Sequence, residues 1–190
     1  MSHKHVNAGL VIIIGAMSSG KTSYLINMIK SNVESQIKML VIKSNKDNRF
    51  DHLEGKDRIY SRDGNSWPAI PYENLSDVKE ELINDAEMIF IDEAQFFHDL
   101  EKYCKLWVFE NKKRVFISGL HGLSTLEPFG QIHNCICFCE DLIWLKTICQ
   151  IKDCSNPGAY AKYIKSKETN EKIIDVGSDD KWRTVCIYHK

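Results

Sequence analysis

Gly15-Ala16-Met17-Ser18-Ser19-Gly20-Lys21-Thr22 meets every position of the pattern G-x-x-x-x-G-K-[ST], and the chemistry of that pattern is phosphate binding. Its two glycines let the backbone curl until N–H groups converge on phosphate oxygens. The loop opens a helix whose positive end favours anions. Lys21 is expected to reach the β- and γ-phosphates of a nucleoside triphosphate, and the Thr22 hydroxyl to ligate magnesium. A second reactive group, Asp92-Glu93, ends the apolar run Met88-Ile89-Phe90-Ile91. Asp92 suits magnesium, partly through water, because this ion keeps much of its hydration shell. Glu93 is then free to act as a general base towards an attacking hydroxyl. Gln95 follows in the same acidic stretch and is grouped with the nucleotide and magnesium residues.

The third group is made of thiols. Cys149 and Cys154 form one pair, Cys186 and His189 a second, and the two lie 31 residues apart beside turn-like sequence such as Ser155-Asn156-Pro157-Gly158. Three thiolates and one imidazole make a closed tetrahedral zinc set of the structural kind. Such a site pins two hairpin ends together in a lobe too small for its own core. Cys135, Cys137 and Cys139 alternate, which reads as one face of a strand in a buried element rather than a second metal site. Cys104 falls in the apolar pattern of a helix and reads as core.

These groups need elements to hold them. Leu10–Ile14 is apolar and β-branched, a buried strand ahead of the loop, and residues 23–29 have helical character. Residues 38–43, 87–93 and 114–119 read as further strands, so the first 120 residues alternate strand and helix. That alternation implies an α/β fold with a mainly parallel sheet. Both the phosphate loop and the two acids then fall at the carboxyl edge of the sheet, where ligands bind in open α/β folds. Residues 44–74 read as a long polar connection, a short helix begins near Ser76 as its cap, and 97–110 suits an amphipathic helix. The expected architecture is a P-loop (RecA-like) domain over 1–145 and a small zinc-binding, β-rich lobe over 146–190.

At 190 residues and 43% hydrophobic, the chain can bury one substantial core. Lys+Arg 25 against Asp+Glu 26 leaves a net charge of −1 with no block of one sign, which argues against a surface devoted to nucleic acid. The N-terminal apolar run is too short for a signal peptide or a membrane span, so the expectation is a soluble, cytoplasmic protein. The odd count of seven cysteines fits metal ligation and reduced thiols better than disulfides.

G-x-M-x-S-G-K-T, then D-E-A-Q-F-F, then P-F-G, then two metal-ligand pairs, in that order, resemble the type II thymidine kinases from about Leu10 to His189. The resemblance implies an ATP-binding α/β domain, a zinc lobe and a lasso loop that closes over thymidine. It implies transfer of the γ-phosphate of ATP to the 5′-hydroxyl of thymidine or a related pyrimidine deoxynucleoside such as deoxyuridine. It also implies homotetramers. By position, Glu93 is the base, Lys21, Thr22 and Asp92 serve phosphate and magnesium, and Arg49 stabilises developing phosphoryl charge. Met17, Phe96, Leu120 and Phe129 match the base pocket. Ile173, Ile174, Asp175, Val176 and Gly177 match the lasso, whose backbone groups would grip the thymine edge.

The chain departs from the family pattern in places. Ala16 and Ser18 replace a proline and a phenylalanine in the phosphate loop. Ser124 replaces a phenylalanine, His121 an aspartate, and Trp182 a tyrosine that lies against the base or sugar. The pocket is therefore repacked. Two other classes remain open on the residues alone. One is a P-loop ATPase module whose zinc lobe contacts nucleic acid or a protein. The other is a family member that has lost catalysis, against which the intact Lys21, Thr22, Asp92, Glu93 and Arg49 argue. Asp92-Glu93-Ala94-Gln95 also resembles a helicase acidic box, but a helicase motor needs two such domains, more than 190 residues hold.

Overall fold

The computed structural model describes residues 6–47, 57–164 and 182–190. Arg49 and the lasso residues Ile173 to Gly177 lie outside them. The chain order is β1 (Gly9–Gly15), α1 (Lys21–Val33), β2 (Met39–Ser44), β3 (Arg58–Tyr60), β4 (Ser66–Pro68) and β5 (Ile70–Tyr72). Then come α2 (Glu80–Asp85), β6 (Met88–Asp92), α3 (Leu100–Lys105), β7 (Arg114–Gly119), α4 (Ile132–Cys135) and β8 (Asp141–Leu145). Four short strands follow: β9 (Thr147–Ile148), β10 (Pro157–Gly158), β11 (Tyr160–Tyr163) and β12 (Trp182–Val185).

Six strands form one sheet in the order β5-β2-β6-β7-β1-β8, and every neighbouring pair is parallel. A parallel sheet covered on both faces needs strands that are apolar at every position. β1, with Leu10 to Ile14 all buried, is such a strand. Alternation then sorts its residues. Val11 and Ile13 join Val41, Phe90 and Phe116 under Leu25, Ile26 and Ile29 of α1. Leu10, Ile12 and Ile14 join Ile42, Ile89, Ile91 and Ile117 under Leu100, Cys104 and Trp107. Phe90 and Phe116 stack at 4.7 Å across β6 and β7. Truncating a core residue such as Ile29 to alanine is worth about 2–5 kcal/mol of stability.

β7 lies between β1 and β6, so Ser118 separates the loop strand from the acid strand and presents its hydroxyl to Asp92. This is the α/β, mainly parallel P-loop class read from the sequence. The four short strands make two antiparallel pairs, β9–β10 and β11–β12, next to the Cys/His cluster.

Three local expectations are corrected. Residues 44–74 are not only a connection: they carry the β3–β4 hairpin and β5, which extends the sheet beside β2. Ser76 does not cap a helix. It lies inside a 3-10 turn, Leu75–Asp77, and the long-range Asp99 carboxylate accepts the N–H groups of Leu75 and Ser76 at 3.1 and 2.9 Å. Capping by a side chain some 24 residues away leaves no local sequence signal. Cys135 to Cys139 are not a strand either: α4 and a 3-10 turn, Ile136–Phe138, run through them. Ile132 and Cys135 are buried at helical spacing and Cys137 is exposed, so the helical period prevailed over the alternation of the thiols.

Candidate active site and metal centre

The phosphate loop connects β1 to α1 and turns through two left-handed residues, Ser18 at φ 59° and Gly20 at φ 85°. Gly15 sits where a Cβ would run into the Ser19 hydroxyl and the Leu145 carbonyl. The loop's carbonyls are engaged elsewhere. Lys21 Nζ donates to Ala16 O at 2.8 Å, and Thr184 Oγ1 donates to Met17 O at 2.7 Å. The Ser18 and Ser19 hydroxyls are buried with no protein partner in the described residues. Buried polar groups are ordinarily satisfied, so an orphaned pair in this loop is what a site for phosphate oxygens predicts.

Thr22, in the first turn of α1, donates its hydroxyl to Asp92 Oδ2 at 3.0 Å. Ser118 Oγ donates to Asp92 Oδ1 at 2.7 Å. One carboxylate thus ties the loop helix to two strands, and hydroxyl plus carboxylate is the hard oxygen set that magnesium takes. Sequence reading missed Ser118, although a lone hydroxyl at the end of Val115-Phe116-Ile117 was a signal.

Glu93 is buried just past the end of β6 at φ 52°, a left-handed conformation that costs a non-glycine residue on the order of 1–3 kcal/mol. That turn ends the β6 strand and leads into a 3-10 turn, Ala94–Phe96. Gln95 Nε2 donates to Glu93 Oε2 at 2.6 Å, and Gln95 Oε1 accepts the Leu120 N–H at 3.0 Å. The sequence grouping put Gln95 with nucleotide and magnesium; its amide in the structure is held by Glu93 and Leu120. Gly130, at φ 63°, packs where any Cβ would strike the Gln95 carbonyl. The Pro-Phe-Gly stretch is thereby pressed onto the acidic stretch, and Phe129 meets Phe96 edge-on at 5.4 Å.

Of the base-pocket residues read from sequence, Phe96, Phe129 and Leu120 are therefore drawn together around Gln95. Met17 and Trp182 are linked through β12, since Thr184, two residues after Trp182, holds the Met17 carbonyl. Trp182 is buried against Tyr163 at 4.9 Å. Ser124 is tied to the chain's last residue: Lys190 Nζ donates to Ser124 O and, at 2.7 Å, to Ala161 O. His121 packs on Trp144 at 5.2 Å, and burial holds its imidazole below the usual value despite a hydrogen bond to the Gly15 backbone.

Cys149, Cys154, Cys186 and His189 bring one donor atom each within 4.8 Å of all the others. Cys149 Sγ lies 3.5 Å and Cys186 Sγ 3.3 Å from His189 Nδ1, and Cys154 Sγ lies 3.8 Å from Cys186 Sγ. Zinc–sulfur bonds of about 2.3 Å in a tetrahedron give sulfur–sulfur edges of about 3.8 Å, so the donor set fits that ion. Desolvation pushes the Cys149 thiol up, but backbone N–H groups of Ile151 and Cys186, with His189 and Cys154, outweigh it and bring it down to about 6. A thiol of that acidity is a thiolate at neutral pH, the form that binds metal.

Among the described residues no helix is long and apolar enough to cross a membrane. The thymidine kinase family model matches residues 8–189. The "Thymidine kinase" of Yaba monkey tumor virus is 34% identical over 175 residues, which is 92% of this chain and 90% of that protein. The human "Thymidine kinase, cytosolic" is 32% identical over 175 residues, 92% of this chain and 70% of that protein. The fowlpox virus "Thymidine kinase" is 32% identical over 176 residues and is covered to 92% on both sides.

Proposed function

This chain belongs to the thymidine kinase family, and from that premise we propose how its site phosphorylates thymidine at the expense of ATP. The observation that carries the reading is the meeting of Lys21, Thr22, Asp92 and Glu93 at one edge of the sheet, through Thr22, Asp92 and the β6 terminus. The loop from Gly15 to Thr22 holds the triphosphate of ATP. Glu93 takes the proton of the nucleoside 5′-hydroxyl as that oxygen bonds to the γ-phosphorus. The bond from γ-phosphorus to the bridging oxygen breaks, and ADP leaves. Lys21 stands by the β- and γ-oxygens, and Arg49 is assigned to the same charge by resemblance. Thr22 and Asp92 would hold magnesium, which when bound neutralises charge on the phosphates.

Met17, Phe96, Leu120, Ser124, Phe129 and Trp182 are the side chains assigned to the nucleoside, and Ile173 to Gly177 to the thymine edge. A pocket that hydrogen-bonds one base edge rejects molecules lacking it, because its polar groups are left unpaired. Apolar contact with the 5-methyl group is worth only about 1–3 kcal/mol. A panel of deoxynucleosides with ATP, read as monophosphate formed, should rank thymidine first and deoxyuridine modestly behind. Purine deoxynucleosides should be slower by about tenfold or more. Deoxyguanosine or deoxyadenosine matching thymidine would overturn the base assignment and leave the kinase standing.

Gln95 gives a second expectation. Gln95→Leu removes the donor that fixes the Glu93 carboxylate, and misplacing a catalytic group by a fraction of an ångström is costly. The turnover number should fall by about tenfold with the KM for ATP unchanged, measured by steady-state kinetics. A raised KM for ATP with normal turnover would return Gln95 to the nucleotide.

The metal ligands Cys149, Cys154, Cys186 and His189 would bind zinc and staple the two small hairpins. The division near residue 146, a cytoplasmic location and a homotetrameric assembly belong to the same reading. The family match does not favour the alternative of an ATPase module with a lobe for nucleic acid or a protein partner.

A further inference from the structure

β12 does two jobs within five residues. Cys186, immediately after it, belongs to the thiol cluster, while Thr184 reaches back across the chain to the phosphate loop. Thr184 is fully buried. Gln150, adjacent to the ligand Cys149, grips its backbone on both sides: the Thr184 N–H donates to Gln150 Oε1 at 2.6 Å, and the Gln150 N–H donates to Thr184 O at 2.9 Å. The residue is therefore clamped between two cluster ligands. Its hydroxyl donates from this clamp to Met17 O at 2.7 Å.

A trans peptide is planar, with C=O and N–H pointing in opposite directions. Holding the Met17 carbonyl on Thr184 thus fixes the Met17–Ser18 peptide and aims the Ser18 N–H away from β12. Ser18 sits at φ 59°, a conformation that persists only where its surroundings enforce it. We propose that Thr184 is a positioning residue for nucleotide binding. Its hydroxyl enforces the Met17–Ser18 peptide orientation and so presents the Ser18 N–H to the triphosphate. The metal lobe then acts on ATP affinity through a single hydrogen bond. This inference rests on the reading of residues 15–22 as the ATP loop.

Full-length wild type, Thr184→Val and Thr184→Ser, brought to equal metal content, are titrated with a non-hydrolysable ATP analogue and magnesium by calorimetry. Valine keeps the shape and deletes the donor; serine keeps the donor. One lost hydrogen bond to a strained loop should weaken binding by about five- to tenfold in the Val variant and by less than about twofold in the Ser variant. At saturating ATP the turnover number of the Val variant should stay within about threefold of wild type, so the effect falls on KM. Val binding as tightly as wild type, or Ser as weakly as Val, overturns the proposal. If the Val variant does not fold, Thr184→Ala is compared with Ser on the same terms. Wild type that fails to bind the analogue overturns the ATP-loop reading instead.

Discussion

Glu93→Gln is expected to lower thymidine phosphorylation by about 10²–10⁴-fold, the ordinary worth of a general base, and to leave ATP binding near wild type. The side chain keeps its shape and its left-handed turn but can no longer take the 5′-hydroxyl proton. ATP affinity should be spared because the loop proposed for the triphosphate runs from Gly15 to Thr22, and Asp92 keeps its hydrogen bonds from Thr22 and Ser118. The partner of Glu93 complicates only the sign of a small term. Gln95 Nε2 donates at 2.6 Å to the carboxylate, and an amide at position 93 can still accept that bond through its oxygen. Single-turnover rates and calorimetric ATP affinity measure the two halves. Activity within about threefold of wild type shows that Glu93 is not the base.

The second large effect belongs to the metal centre. One zinc per chain should be found by elemental analysis. Cys154→Ser should lower the melting temperature far more than Cys137→Ser. Structural zinc in small domains carries on the order of 10 kcal/mol of folding free energy, and the thiol cluster has little apolar support around it. Its core consists of Cys149, Val185 and Cys186, with Ile151, Cys154 and Tyr160 packed against them. Cys137 is exposed in the 3-10 turn after α4 and is not one of the four clustered residues, so its loss removes no ligand. Chelation should unfold the same lobe, read by hydrogen exchange over residues 147–164. Metal-free protein with unchanged stability contradicts the assignment.

What could be read from the sequence was what periodicity and spacing encode. β1, β2, β6 and β7 are runs of apolar residues, and a strand buried on both faces announces itself that way. The thiol quartet was legible because ligand chemistry requires those side chains at close spacing, and the chain returns them to one point. Signals set by tertiary contact were not legible. Asp99 satisfies the Leu75 and Ser76 N–H groups from another element, so no cap is written beside them. The alternating thiols at 135, 137 and 139 matched a strand as well as a helix, and only the burial of Ile132 with Cys135 decided it. Thr184 carries no motif: its hydroxyl matters because β12 happens to pass Met17.

The central claim is that this site moves a phosphoryl group from ATP to a nucleoside hydroxyl. ATP labelled at the γ-phosphate, incubated with thymidine, magnesium and the full chain, tests it most directly. The account predicts that the label appears in the 5′-monophosphate, mole for mole with ADP, and that Glu93→Gln abolishes its appearance. Label released as inorganic phosphate at the same rate with or without thymidine would contradict it.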